Sequence, residues 1–286
     1  MSVYFSLIFQ QLIAGGTHIV AKATLHDVDP VTLTLLRSII TACIMVIVML
    51  LKEPRWRIER VDYVRLFWLS LFAVPINQFV FFYGISRSTA SNAALLYATT
   101  PVVVLILSRV ILKEPATWKK IIGVAVALVG VAFVIFEDGL QLNSSHTHGN
   151  LLLVVAVFAW ALTTVYGKPM IRKYGAFYVT SLVLVLGMIL YLPLGILYGN
   201  LGSVSSLTAP DWGGVLYLCI GTSVLGYFLW YYALERVDAS KVAIFSNAQP
   251  FFTTILAVIL LGQGVSTTFV IGGLLTISGV ILVQLG

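Results

Sequence analysis

Charged residues are scarce in this 286-residue chain: Lys, Arg, Asp and Glu together make up 10% of it, against about 25% in soluble domains. So little charge cannot keep a water-facing surface soluble, which excludes a soluble enzyme or binding domain. Acids are missing from the middle of the apolar runs. Glu114, Glu137, Asp138, Asp211 and Glu235 all sit near run ends, so no carboxylate proton relay is visible. The two cysteines, Cys43 and Cys219, each lie inside an apolar run; they exclude a disulfide scaffold and read as small buried hydrophobes. No glycine-rich loop with a Walker lysine occurs, so there is no ATP engine. No His, Cys and carboxylate cluster has metal spacing, so neither metal nor cofactor is expected. The first apolar run has no basic segment before it and reads as a membrane span rather than a cleaved leader.

What the chain does have is apolar sequence: 59% of residues are hydrophobic and the mean hydropathy is +1.01. The apolar residues come in runs near twenty residues long, enough for a helix to cross a hydrocarbon core of about 30 Å. They lack the alternation of a barrel strand, so helices are the only way to satisfy the backbone in lipid. The reading is an all-α integral membrane protein with ten spans, at 3–23, 31–51, 63–86, 90–112, 118–136, 150–169, 176–199, 212–235, 239–261 and 267–285. Connections are short and leave no room for a soluble domain.

The chain also repeats itself. The segment from Tyr83 to Val131 maps without a gap onto Tyr232 to Val280, at an offset of 149. Tyr83 falls on Tyr232, Arg87 on Arg236, Pro101 on Pro250, Gly123 on Gly272 and Gly130 on Gly279. At an offset of 146, Lys22 meets Lys168 and Thr34 meets Thr180. This divides the chain into a first unit at 1–137, a linker at 138–149 and a second unit at 150–286. Basic residues collect in alternate loops: Lys52, Arg55, Arg57, Arg60 and Arg65; Lys113, Lys119 and Lys120; Arg172 and Lys173; Arg236 and Lys241. They mark the cytoplasmic side and place both termini there; a nucleic-acid patch is the rival reading, and the loop alternation disfavours it. With five spans per unit, an odd number, the second unit lies inverted relative to the first. Inverted repeats put substrate near the midplane and allow alternating access.

The block Tyr83-Gly-Ile, Ser91-Asn92-Ala93-Ala94, Pro101, Leu112-Lys-Glu114-Pro115, Gly123 and Gly130 resembles the EamA family of the drug/metabolite transporter superfamily. The second copy (Tyr232, Ala239-Ser240, Pro250, Gly272, Gly279) is similar to it again, as are Pro30 followed by Arg37, and Trp160 with Lys168. The chain departs from the pattern at Ala14, where a Trp is usual, and at Gln263, the counterpart of Glu114. The resemblance covers the whole chain and implies a ten-span inner-membrane exporter of metabolites or amino acids.

Polar side chains inside spans are functional candidates, each with a structural alternative. His18 suits a proton or substrate contact or an interhelical hydrogen bond. Lys22 and Lys168 snorkel to the headgroups or attract an anion. Arg37 is too deep to snorkel and pairs with carbonyls or takes part in gating. Asn77 and Gln78 follow Pro75, whose freed carbonyl they can satisfy instead of binding substrate. Tyr97 and Thr100 in span 4, and Asn247 and Gln249 in span 9, mark the cavity wall. Pro101 and Pro250 interrupt those helices and form either hinges or fixed kinks. Trp160, Tyr166 and Tyr227 can line the cavity, whereas Trp230 and Tyr231 also suit an interfacial belt. The paired glycines of spans 5 and 10 read as close packing or a dimer contact, so monomer and homodimer both stand.

Together these readings point to a secondary transporter of small metabolites, amino acids first, moving substrate across a lipid bilayer. An intramembrane enzyme would need clustered catalytic groups, and a channel a ring of like charges or a carbonyl filter.

Overall fold

A computed structural model describes residues 2–52, 58–113, 117–135, 146–261 and 267–284. Arg55, Arg57, Glu114, Gln263 and most of the 138–149 linker lie outside the described residues. All regular structure among the described residues is helical. In chain order the helical runs are α1 (Val3–Thr24), α2 (Pro30–Lys52) and α3, the last made of Tyr63–Leu71, Phe72–Gln78 and Phe79–Ser86. Then come α4 (Ala90–Tyr97, Thr100–Leu107, Ser108–Leu112), α5 (Trp118–Ile135), α6 (His146–Tyr174) and α7 (Ala176–Tyr198). Last are α8 (Ala209–Leu216, Tyr217–Gly226, Tyr227–Arg236), α9 (Ala239–Ala243, Ile244–Ala248, Gln249–Leu261) and α10 (Thr267–Gln284). Among the described residues, seven helices are individually long and apolar enough to cross a membrane.

Local sequence sets the helix ends. Asp29 Oδ1 accepts from the backbone N–H groups of Val31 and Thr32, 3.0 Å each, with Pro30 as the first helical residue of α2. Thr89 accepts from Asn92 N at the start of α4. A single residue, Gly175, turns the chain between α6 and α7 at φ 86° with no atom within 4 Å of a built Cβ; backbone freedom, rather than space, demands glycine there.

The outer surface carries bare apolar side chains, among them Leu50, Val110, Leu197, Ile259 and Leu274. In water such a belt would be an association surface; in lipid it is simply solvated. Cys43 belongs to this outer face, so the expectation of two buried thiols holds only for Cys219.

Helices from the two halves pack as partners: α2 on α7, α4 on α9, α5 on α10, α3 on α6 and α1 on α8. The pairing is unchanged when the halves are exchanged. Partners run antiparallel. Along α2 and α7, Tyr191 Oη donates to Val31 O (3.2 Å), Leu35 lies against Gly195, and Ser181 meets Met45. Along α3 and α6, Lys173 pairs with Asp62 (2.8 Å), Asn77 donates to Ala156 O (2.7 Å), and Gly84 abuts Gly149. A Cβ on Gly279 of α10 would lie 2.5 Å from Gly123 O and 2.6 Å from Ala127 N of α5. The glycine face therefore packs within the chain, which is the scaffold reading.

Local details repeat as well. Arg87 stacks on Tyr83 at 3.7 Å and Arg236 on Tyr232 at 3.8 Å, and each guanidinium donates to the carbonyl of its own tyrosine. Phe72–Gln78 and Tyr217–Gly226 are both π-helical, in overlapping repeat positions.

Candidate functional site

The π-helical stretches shape the middle of the molecule. Pro75 has no N–H and its ring crowds the preceding turn; the wider π turn accommodates it, and such turns often mark functional sites. Here they bring adjacent residues, Asn77 and Gln78 on α3 and Gly226 and Tyr227 on α8, to one cavity. Its volume is about 70 Å³, below the range of small-molecule sites, about 300–1,000 Å³. The rest of the wall is Gln10, Ala14, Thr17 and His18 from α1, Arg37 from α2, Phe81 from α3 and Tyr97 from α4. Trp160 of α6, Thr222 of α8 and Gln249 of α9 close it.

Bonds across the two halves hold this wall. His18 Nε2 donates to Gln249 Oε1 (3.0 Å), Thr17 and Thr222 share a hydroxyl bond of 2.7 Å, and Tyr217 donates to Ile13 O (2.8 Å). Gln78 Nε2 reaches Tyr227 Oη at a longer 3.4 Å. Asn77 Nδ2 donates to Tyr97 Oη (2.9 Å) and to Ala156 O. Asn77 and Gln78 therefore spend their amide donors on Tyr97, Ala156 and Tyr227. The rings form two groups. His18 meets Phe81 and Tyr97 edge-on, each with centroids 5.6 Å apart, and Trp160 meets Tyr227 at 5.0 Å.

Arg37 is 3% exposed. Its Nε donates to Ser223 Oγ (2.6 Å) and its guanidinium lies over the Phe82 ring at 5.2 Å. The expected pairing with backbone carbonyls is absent among the described residues, because the side chain turns toward α8 and the cavity.

Several expected residues gather at this site and others do not. His18, Asn77, Gln78, Tyr97, Trp160, Tyr227 and Gln249 line the cavity, as does Arg37. Thr100 and Asn247 are buried outside the lining, and Thr100 Oγ1 and Asn247 Oδ1 find no partner among the described residues. Tyr166 lies under Arg65 at 5.1 Å, away from the cavity. Trp230 and Tyr231 are fully buried, which removes the interfacial-belt reading. Trp230 Nε1 donates to Thr164 and its ring backs Trp160 at 5.4 Å.

The two lysines both bond protein groups. Lys22 Nζ donates to the carbonyls of Ile85 and Ser86, both at 3.1 Å, at the end of α3, where a helix terminus favours a cation. Lys168 bonds Asp238 at 3.3 Å. Each lysine thus ties its helix to the end of another.

Pro101 and Pro250 lie just outside the wall, each after a real interruption. Ala98 and Thr99 form a turn ahead of Pro101, and the tight 3₁₀ segment Ile244–Ala248 precedes Pro250. Sequence reasoning missed Gln10, Thr17 and Thr222. Gln10, Ala14, Thr17 and His18 follow the i, i+4, i+7, i+8 pattern of one helix face, so the helical phase of His18 was the signal that would have found the first two.

The lining contains amides, hydroxyls, aromatic rings and one cation. Among the described residues, no three His, Cys, Asp or Glu side chains converge as metal ligands. The groups it presents can orient a small molecule; among the described residues the lining holds no nucleophile paired with a base.

Comparison with known proteins bears on the chain as a whole. The model of the EamA-like transporter family matches residues 1–136 and again 147–285. An uncharacterized transporter of Archaeoglobus fulgidus is 31% identical over 277 residues, spanning 96% of this chain and 95% of its own. The uncharacterized transporter YyaM of Bacillus subtilis is 27% identical, over 98% of this chain and 95% of its own. A solved structure described only as "Crystal structure of protein" superposes with a TM-score of 0.76 at 18% identity, covering 96% of this chain and 98% of that one.

Proposed function

The chain belongs to the EamA-like transporter family of multi-pass membrane proteins, and from that premise we propose a secondary carrier that exports small metabolites by alternating access. The observation that carries the proposal is the central cavity, walled by both halves of the chain. A site built from two exchangeable units can be opened to one side by the arrangement that closes the other.

In this reading the chain is two inverted units of five spans, 1–137 and 150–286. The pairing of helices across the halves, unchanged when the halves are exchanged, and the repeated arginine–tyrosine stacks support it. The basic loops put both termini on the cytoplasmic side of the inner membrane. Pro101 and Pro250 serve as the bending points of α4 and α9. Substrate lies among Asn77, Gln78, Tyr97, Trp160, Tyr227, Gln249 and His18; the polar groups fix its orientation and the rings cover its body. Amino acids and related compounds are the first class to test, since amides and rings together suit a small amphipathic molecule.

The test is uptake into proteoliposomes with labelled amino acids and related metabolites, with and without unlabelled substrate inside. A carrier gives saturable uptake that preloading accelerates. A flux that does not saturate and ignores the trans side would indicate a channel and reject the proposal.

A further inference from the structure

Arg37 sets the charge of the cavity. A guanidinium inside a membrane protein is costly and is normally paired with an acid or with carbonyls. Here, among the described residues, the guanidinium's hydrogen-bond partner is the neutral Ser223 hydroxyl, through Nε alone. The other face of the group lies on the Phe82 ring. Among the described residues the cavity lining contains no Asp or Glu, and the carboxylates that do form ion pairs, such as Asp62 and Asp238, meet lysines at helix ends. The result is a buried, permanently charged fork at the cavity wall whose terminal nitrogens have no acceptor among the described residues.

We propose that Arg37 is the counter-charge for a carboxylate of the transported molecule, so that the cavity takes small organic acids. This rests on the carrier reading above and narrows its substrate class. The carboxylate sits on the two terminal nitrogens of Arg37, the bidentate geometry that guanidinium favours. Ser223 holds Nε and so fixes the plane of the fork. The body of the molecule lies against Trp160, Tyr227 and Tyr97. An amine on the substrate meets only neutral acceptors, such as Asn77 and Gln249, because no acid lines the site. The carboxylate is therefore required and the amine is not, and an amino acid and its deaminated acid are both ligands.

The experiment is equilibrium binding to the purified, detergent-solubilised protein, using 3-phenylpropanoate, phenylalanine, phenylalanine amide and phenethylamine. The two carboxylates bind and the amide and amine do not. Arg37→Gln weakens 3-phenylpropanoate binding about ten- to a hundredfold, the range expected for losing hydrogen bonds to a charged group, and Arg37→Lys recovers part of it. Ser223→Ala keeps the charge but frees the fork, and it weakens binding less than Arg37→Gln. Should Arg37→Gln fail to fold, the ligand comparison on the unaltered protein still decides. Equal binding of the amide, no binding of either carboxylate, or an unchanged affinity in folded Arg37→Gln overturns the proposal. Carboxylate binding without saturable flux in proteoliposomes leaves the site standing and rejects the carrier.

Discussion

At the scale of single residues, the site is a set of buried polar groups that satisfy one another across the two halves. Most buried polar atoms in proteins are paired, and the pairs His18–Gln249, Thr17–Thr222 and Arg37–Ser223 each take one member from each half. The aromatic wall is different: Trp160 keeps one side on Tyr227 and Trp230 and faces the cavity as well. Trp160→Ala therefore removes a cavity wall, and substrate affinity in equilibrium binding falls about tenfold, the upper end for one aromatic contact. The same change costs about 3 kcal/mol of stability from lost packing, so its thermal unfolding is measured alongside. Unchanged affinity in a folded variant would assign Trp160 to packing alone. His18, Asn77 and Trp160 were legible in the sequence because each is an unusual residue for a span. The ties of Lys22 to α3 and of Lys168 to Asp238 were not, because the partners lie 63 and 70 positions away and nothing local announces them.

At the scale of elements, the interrupted helices carry the argument. Pro101 and Pro250 each stand at a break in a membrane helix, in equivalent positions of the two halves. Without the proline the missing backbone bond can re-form and the bend stiffens. Pro101→Ala and Pro250→Ala accordingly slow exchange in proteoliposomes by about tenfold, while substrate affinity changes by less than about twofold. Equal rates in both variants and the unaltered protein would make the breaks fixed kinks. Both prolines were readable from sequence. The π-helical stretches were less so: Pro75 marks the first, but Tyr217–Gly226, which packs against α1 and α2, contains no proline to mark it.

At the scale of the whole molecule, the repeat explains why the cavity sits where it does. The 149-residue offset was visible in tyrosine, arginine, proline and glycine, and the structure gives the tyrosine–arginine pairs the same local contacts in both halves. The choice between a glycine scaffold and a dimer contact was beyond the sequence, because both uses need the same small residues on the same face. The approach of Gly279 to Gly123 shows that this part of the face packs within the chain. Two exchangeable halves around one cavity lead to the central claim, that the cavity opens to each side of the membrane in turn.

A thiol inside the cavity tests that claim most directly. With the outer-face thiol removed by Cys43→Ser, Thr222→Cys places a reactive group at the wall, and a small charged methanethiosulfonate is applied to one side of oriented vesicles at a time. The account predicts labelling from either side, slowed by a bound carboxylate ligand, with an opposing gradient of that ligand raising the rate on one face and lowering it on the other. Labelling confined to one face, or indifferent to ligand on both, would contradict it.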